Sequence, residues 1–364
     1  MGEAGSSTIT EPGIGPGIGP GIGPGSIPEV AHGGRLLAAR RAFPEAPAPF
    51  LDLSTGISPF AYPFAMPPAA CFARLPEPEQ ELALRDVAAS TYEAPDAQHV
   101  TIAPGSQMLI ALLPRLLDCR RAAVLGPTYA EHAASWRRHR VPVIEPGSVA
   151  ALFDAVAADT ALVLCNPNNP DGARIDAATL SALSARTASA GGWLVVDEAY
   201  ADLERDMVPA ATLLAGNGRV VVLRSFGKSY GLAGIRLGFL LASPPVAAAA
   251  AALLGPWPVG GLALAAGRQA LSDLAWRRRT AVRVAESSAR LDALLRAAGL
   301  TMLGGTGLFR LANTESARSL WRRLAQRGIL VRRFDDHPTW LRFGLPEDEP
   351  AWDRLEGFFS ADRA

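Results

Sequence analysis

From Val100 to Ala242 the chain alternates short, almost unbroken apolar runs with longer stretches whose apolar positions recur at helical spacing. The runs are HVTIA (99–103), AAVLG (122–126), ALVLC (161–165), WLVVD (193–197), VVVLRS (220–225) and LGFLLA (237–242). A strand that is apolar on both sides is covered on both sides, so the alternation predicts an α/β layer around a mostly parallel sheet. Ligands of such sheets bind beyond the carboxyl ends of the strands. There the chain places Gly105–Ser106–Gln107, Pro127–Tyr129, Asn166–Asn169, Asp197–Tyr200 and Ser225–Lys228, each just after a run. Past about Ser243 the pattern changes to an arginine-rich helix over Trp276–Ala298, the run LFRLA, a further helix, and the pair ILVRRF and WLRFGLP. That reads as a smaller α+β unit, with GPWPVGG (255–261) as the break.

Composition narrows the possible partners. The 364 residues carry 35 basic and 35 acidic side chains, so no global field favours nucleic acid or an anionic membrane surface. Lys228 is the only lysine; every other basic residue is an arginine, which keeps its proton at neutral pH. Cys71, Cys119 and Cys165 are odd in number and far apart, which suggests neither a disulfide framework nor a zinc site and makes a reducing cytosol the expected compartment. His132 and His139 lie in the polar run EHAASWRRHR, which reads as a solvated helix face rather than a metal-ligand pair. No apolar run approaches the roughly 18 residues of a membrane span. The repeat GIGPGIGPGIGPG near the start is too rich in proline and glycine to pack and is expected to be a disordered tail.

The residues at the strand ends share one chemistry. A lysine in the glycine-rich turn SFGKSYGLAG can be desolvated into a nucleophile. Asp197, closing an apolar strand, needs a cationic or donor partner, and a protonated pyridine nitrogen is one such. Tyr200 and Asn169 offer groups that bond a phenolic oxygen, and Tyr129 offers a flat face for stacking. Gly105, Ser106 and Gln107 open a helix whose N–H groups favour a phosphate, to which Ser225 and Arg236 add a hydroxyl and a guanidinium. Together these features describe a site for pyridoxal 5′-phosphate with Lys228 as its covalent attachment.

NPNNPDG, DEAY and SFGKSYGLAGIRLG resemble the signatures of the fold-type I aminotransferase superfamily, class I and II branch, and the likeness runs from about His32 to the C-terminal helix. It implies a fold-type I PLP-dependent transferase fold: a large domain with a mixed seven-stranded sheet, a smaller α+β domain, and a homodimer. The expected organisation is a tail at 1–25, a segment at 26–49 joining the small domain, a large cofactor domain at 50–245 and a small domain at 246–364. By this resemblance Lys228 carries the cofactor, Asp197 pairs with its ring nitrogen, and Asn169 and Tyr200 contact its phenolic oxygen. Tyr129 would stack on the ring, and Gly105, Ser106, Gln107, Ser225 and Arg236 would hold the phosphate. Two departures stand out: Asp171 where the family usually has threonine, and Leu75 where related sequences often have tyrosine.

Cofactor motifs do not disclose which bond at the amino acid Cα is broken. HGGRLLAARR (32–41), FLDLSTGISPF (50–60), PGSQMLIALLPRLL and VLGPTYAEHAASW are similar to the threonine-phosphate decarboxylases of cobalamin synthesis. This implies decarboxylation of L-threonine O-3-phosphate, a phosphorylated amino acid, with His32, Gly56, Arg332 and Arg342 facing the substrate and Lys228 the first candidate to return a proton to Cα. The alternatives are a histidinol-phosphate aminotransferase and a non-catalytic protein that has kept the fold.

Overall fold

The structure, a computed structural model, describes residues 33–361. The Gly/Pro-rich tail and His32 lie outside the described residues. Among the described residues, twelve strands form two sheets: β1 (Leu51–Leu53), β2 (Val100–Ala103), β3 (Arg121–Val124), β4 (Val143–Ile144), β5 (Thr160–Cys165), β6 (Trp193–Asp197), β7 (Val220–Ser225), β8 (Gly238–Ala242), β9 (Thr301–Thr306), β10 (Phe309–Asn313), β11 (Ile329–Arg333) and β12 (Trp340–Gly344). The large sheet has seven strands in the order β2-β8-β7-β6-β5-β3-β4, and β8 runs antiparallel to both of its neighbours. The small sheet has five, in the order β1-β11-β12-β10-β9.

The apolar runs follow from two-sided burial. Leu162, Leu164, Leu194, Val196, Val220 and Val222 face one core, while Val163, Val195, Val221 and Leu223 alternate with them into a second core on the opposite side. The small sheet has its own core, built from Leu53, Phe309, Leu341 and Phe343 with Leu291, Leu320 and Leu355 from its helices. Among the described residues, no helix is long and apolar enough to cross a membrane.

Two packing features bear on the expected organisation. β1, from the start of the segment assigned to the large domain, pairs in parallel with β11 of the small sheet. The helices Pro244–Leu254 and Gly261–Ser272, assigned to the small domain, bury Ala250, Ala263, Leu264, Ala270 and Leu271 in the cores of the large sheet. Their composition resembles that of a linker helix because alanine and glycine allow close packing, and the chain leaves the large unit only at the helix Leu274–Ala297.

Candidate active site

Adjacent parallel strands end level with one another, which brings distant residues together. Cys165 and Asp197 are register partners at the ends of β5 and β6, and Ser225 at the end of β7 pairs with Gly238. Beyond these ends lies a cavity of about 360 Å³. Its wall includes Ser106, Gln107, Tyr129, Asn169, Asp197, Tyr200, Ser225, Lys228 and Arg236 from the large unit, Gly33 and Gly56 from the N-terminal segment, and Arg342 from β12. The predicted residues therefore converge, with three qualifications. His32 is outside the described residues. Gly105 caps the helix Ser106–Leu117 behind the wall, with the Arg236 guanidinium packed against it. Arg332 is not in the wall, but it is the register partner of Arg342 across β11 and β12.

Asp197 is buried and doubly fixed. Its Oδ1 accepts the N–H of Ala199 at 3.0 Å, and its Oδ2 is 2.9 Å from Nε2 of His132. Burial pushes the Asp197 carboxyl pKa upward, but His132, Lys228 and the Ala199 N–H outweigh it and hold the value below the ordinary carboxylate range. His132 overturns the reading of EHAASWRRHR as a solvated face. It is fully buried, whereas His139 is exposed. The polar run is tolerated inside because its members are paired, Glu131 with Arg138 and Gln107, and His132 with Asp197. A signal was present in Trp136, four residues on and therefore on the face of His132, and it is fully buried.

His132 gives the site a pH signature. Burial opposes its protonation, but Cys165 and Asp197 prevail and raise its pKa from 6.5 to about 10. A folded-state value above the unfolded one stabilises fully below pH 6.5, and that contribution is lost as pH rises through about 10. The Tm of the cofactor-free protein is accordingly expected to fall across this interval, and His132→Gln to flatten the slope, in a calorimetric pH series. An unchanged slope in the variant would place the titration elsewhere.

The lysine turn is pinned by the loop after β1. The N–H of Ser58 donates to the carbonyl of Lys228 at 2.7 Å, and that of Tyr62 to the carbonyl of Tyr230 at 2.9 Å. The Lys228 Nζ stands 4.8 Å from the centre of the Tyr200 ring. Tyr200 rests edge-on against Phe309, with centroids 5.0 Å apart, and Gly56 lies against both rings. A Cβ at Gly56 would sit 2.8 Å from Tyr200 Cε1, 2.9 Å from its hydroxyl and 3.0 Å from Phe309 Cδ1. Overpacking of this kind costs about 1–3 kcal/mol, so Gly56→Ala is expected to lower Tm and weaken cofactor affinity by about tenfold, read by calorimetry and fluorescence titration.

The two units meet at the loop Asn166–Gly172. Gly172 has φ +72°, and a side chain there would run into the backbone of Gly305 on β9; one at Gly304 would run into the carbonyl of Asp171. Asp171 closes this loop by accepting from Asn168 Nδ2 at 2.7 Å and from the Ala173 N–H at 3.0 Å, which explains why threonine is not required. Across the seam, the buried Arg342 donates to Asn169 Oδ1 and, at 3.2 Å, to the carbonyl of Ser54.

The family described as Aminotransferase class I and II matches residues 72–351. The chain belongs to that family. Threonine-phosphate decarboxylase of Pseudomonas aeruginosa is 42% identical over 331 residues, covering 89% of this chain and 96% of that protein. The protein of the same description from Sinorhizobium sp is 41% identical over 334 residues, covering 90% and 96%. The solved structure of histidinol-phosphate aminotransferase from Sinorhizobium meliloti in complex with pyridoxal-5′-phosphate shares the fold, with a TM-score of 0.77 at 21% identity over 90% of this chain and 95% of that one.

Within this family member some neighbours of the site are engaged inside the chain itself. Tyr62 points its hydroxyl at the Gln269 carbonyl, 3.3 Å away, and packs edge-on against Trp276. Leu75 is exposed and does not line the cavity. Behind the DEAY turn, Arg224 is buried between Glu198 at 2.7 Å and Asp202 at 3.0 Å. That pairing ties the loop carrying Asp197 and Tyr200 to the strand that leads into Lys228, and it fell outside the motifs read from the sequence.

Proposed function

We propose that this chain binds pyridoxal 5′-phosphate and decarboxylates L-threonine O-3-phosphate to (R)-1-amino-2-propanol O-2-phosphate and CO2, a step of cobalamin biosynthesis. The observation that carries the reaction is the 42% identity to a threonine-phosphate decarboxylase along nearly that protein's whole length. The site fits the cofactor on its own residues. The only lysine of the chain and a buried, anionic aspartate line one cavity, and a helix N-terminus with Ser106, Ser225 and Arg236 stands at its edge. Bound there, the cofactor supplies an electron sink for the bond broken at Cα.

The protein's part is to position and to move protons. Asp197, held anionic by His132, would balance a positive ring nitrogen. Tyr129 would stack on the ring, and Asn169 and Tyr200 would bond its phenolic oxygen. Ser106, Ser225 and Arg236 would take the phosphate, with the N–H groups of the helix that starts at the Gly105 turn. Lys228 would return a proton to Cα after carbon dioxide has left.

The substrate end is cationic. Burial lowers the pKa of both Arg332 and Arg342, and the charge of Arg342 lowers that of Arg332 further. An anion beside the pair relieves both, which favours a substrate bearing a phosphate as well as a carboxylate. Gly56 and, beyond the described residues, His32 complete this end of the reading. Exposed Phe72 and Leu75, with Trp257 ahead of the Gly261 contact to Cys71, support a homodimer that covers them.

The test is to incubate cofactor-loaded protein with L-threonine O-3-phosphate and no keto acid, and to follow carbon dioxide and aminopropanol phosphate. Release over many turnovers is expected. Turnover of histidinol phosphate that requires 2-oxoglutarate, without such release, would assign the site to transamination.

A further inference from the structure

Gln107 faces the cavity from the first turn of the helix Ser106–Leu117, where a polar side chain invites a phosphate. Its amide is committed elsewhere. Nε2 donates to Glu131 Oε2 at 3.0 Å, and Oε1 accepts from the Tyr129 hydroxyl at 2.9 Å. The polarity of the amide is dictated from one end. Glu131 is buried and accepts from Arg138 at 2.7 Å, so it is a carboxylate that can only accept. The NH2 end of Gln107 must turn to it, which leaves the carbonyl end for Tyr129.

The Tyr129 ring also makes a T-shaped contact with His132, with centroids 6.0 Å apart and the planes at 87°. His132 in turn holds Asp197. The aromatic face and the anchoring carboxylate are therefore parts of one packed frame, closed at the tyrosine hydroxyl by Gln107. Burial and the nearby charge of Glu131 keep the Tyr129 phenol protonated, so it remains the donor in this bond.

We propose that Gln107 is a positioning residue that holds the Tyr129 ring in the cleft through the Arg138–Glu131–Gln107 chain, and that its side chain is not a phosphate ligand. The proposal rests on the reading that a pyridoxal ring lies against Tyr129. A net side-chain hydrogen bond corresponds to about a 2- to 10-fold change in an equilibrium constant.

The test is a double-mutant cycle of Gln107→Leu and Tyr129→Phe, read as affinity of the cofactor-free protein for pyridoxal phosphate and for pyridoxal, by fluorescence titration. Gln107→Leu is expected to weaken both ligands equally, by about 2- to 10-fold, and to add less than about twofold once Tyr129 is phenylalanine. Loss confined to the phosphorylated ligand, or effects that simply multiply, would overturn the proposal and leave the site reading intact. A wild-type protein that binds neither ligand would overturn both. If Gln107→Leu does not fold, Gln107→Asn is measured in the same cycle. Its amide is one methylene short of Tyr129, and the same comparison decides.

Discussion

Lys228→Ala is expected to stop the release of carbon dioxide, lowering turnover by at least about 10⁴-fold, the upper end for loss of one positioned proton-transfer group. In the proposed function two independent roles converge on this nitrogen, covalent attachment of the cofactor and return of the proton to Cα. Nothing else in the chain can substitute, because no other side chain carries a primary amine. Borohydride reduction of the loaded wild type should therefore fix one cofactor per chain, all of it on the peptide containing Lys228, and none in the variant. Visible absorbance retained by Lys228→Ala, or label recovered from another peptide, would move the chemistry away from this turn. The variant should fold, since the backbone carbonyl bonded to Ser58 is kept and the side chain removed gives up only its place over the Tyr200 ring and a charge near Asp197.

Asp197→Asn should reduce turnover by about 10²–10³-fold, the range seen when one preorganised electrostatic contact is removed. The amide keeps the shape of the carboxylate but cannot balance a positive ring nitrogen. The change has a second consequence, visible without substrate. His132 loses one of the two partners that raise its pKa against burial, Cys165 being the other, and releases its proton at lower pH. The fall in Tm between pH 6.5 and 10 should then shrink, as it does for His132→Gln. Asp197→Ala should be worse for stability, because breaking a buried pair from one side costs up to about 3–5 kcal/mol where the remaining charge cannot be discharged. Wild-type turnover in Asp197→Asn would mean that the ring nitrogen needs no counter-charge here.

β2, β3, β5, β6, β7 and β8 of the large sheet were legible because two-sided burial writes continuous apolar runs, and their ends because polar residues appear abruptly after them; β4, only Val143–Ile144 long, was not. WLVVD followed by Glu198 is such a case. β9 was not legible. Its run TMLGGT carries two glycines that weaken any strand pattern, and they are there because β9 lies directly on the backbone of Asp171 and Gly172. His132 was misread for a different reason. A polar run signals solvent only if its members are unpaired, and two of the partners here, Asp197 of His132 and Gln107 of Glu131, lie 65 and 24 residues away in sequence. The direction of the Gln107 side chain was hidden in the same way, since a helix N-terminus says where N–H groups point and nothing about the side chain beside them.

The glycine seam between the two units bears on how such an enzyme can change over generations. Asn169 and Arg342 come from different sheets, and what fixes their separation is a contact between bare backbones at Gly172, Gly304 and Gly305. Any other residue at Gly172 or Gly304 would push the sheets apart and open the site. Substrate preference in this lineage can drift through side chains that line the cleft, such as Thr55, but the spacing of the two sheets is closed to stepwise change.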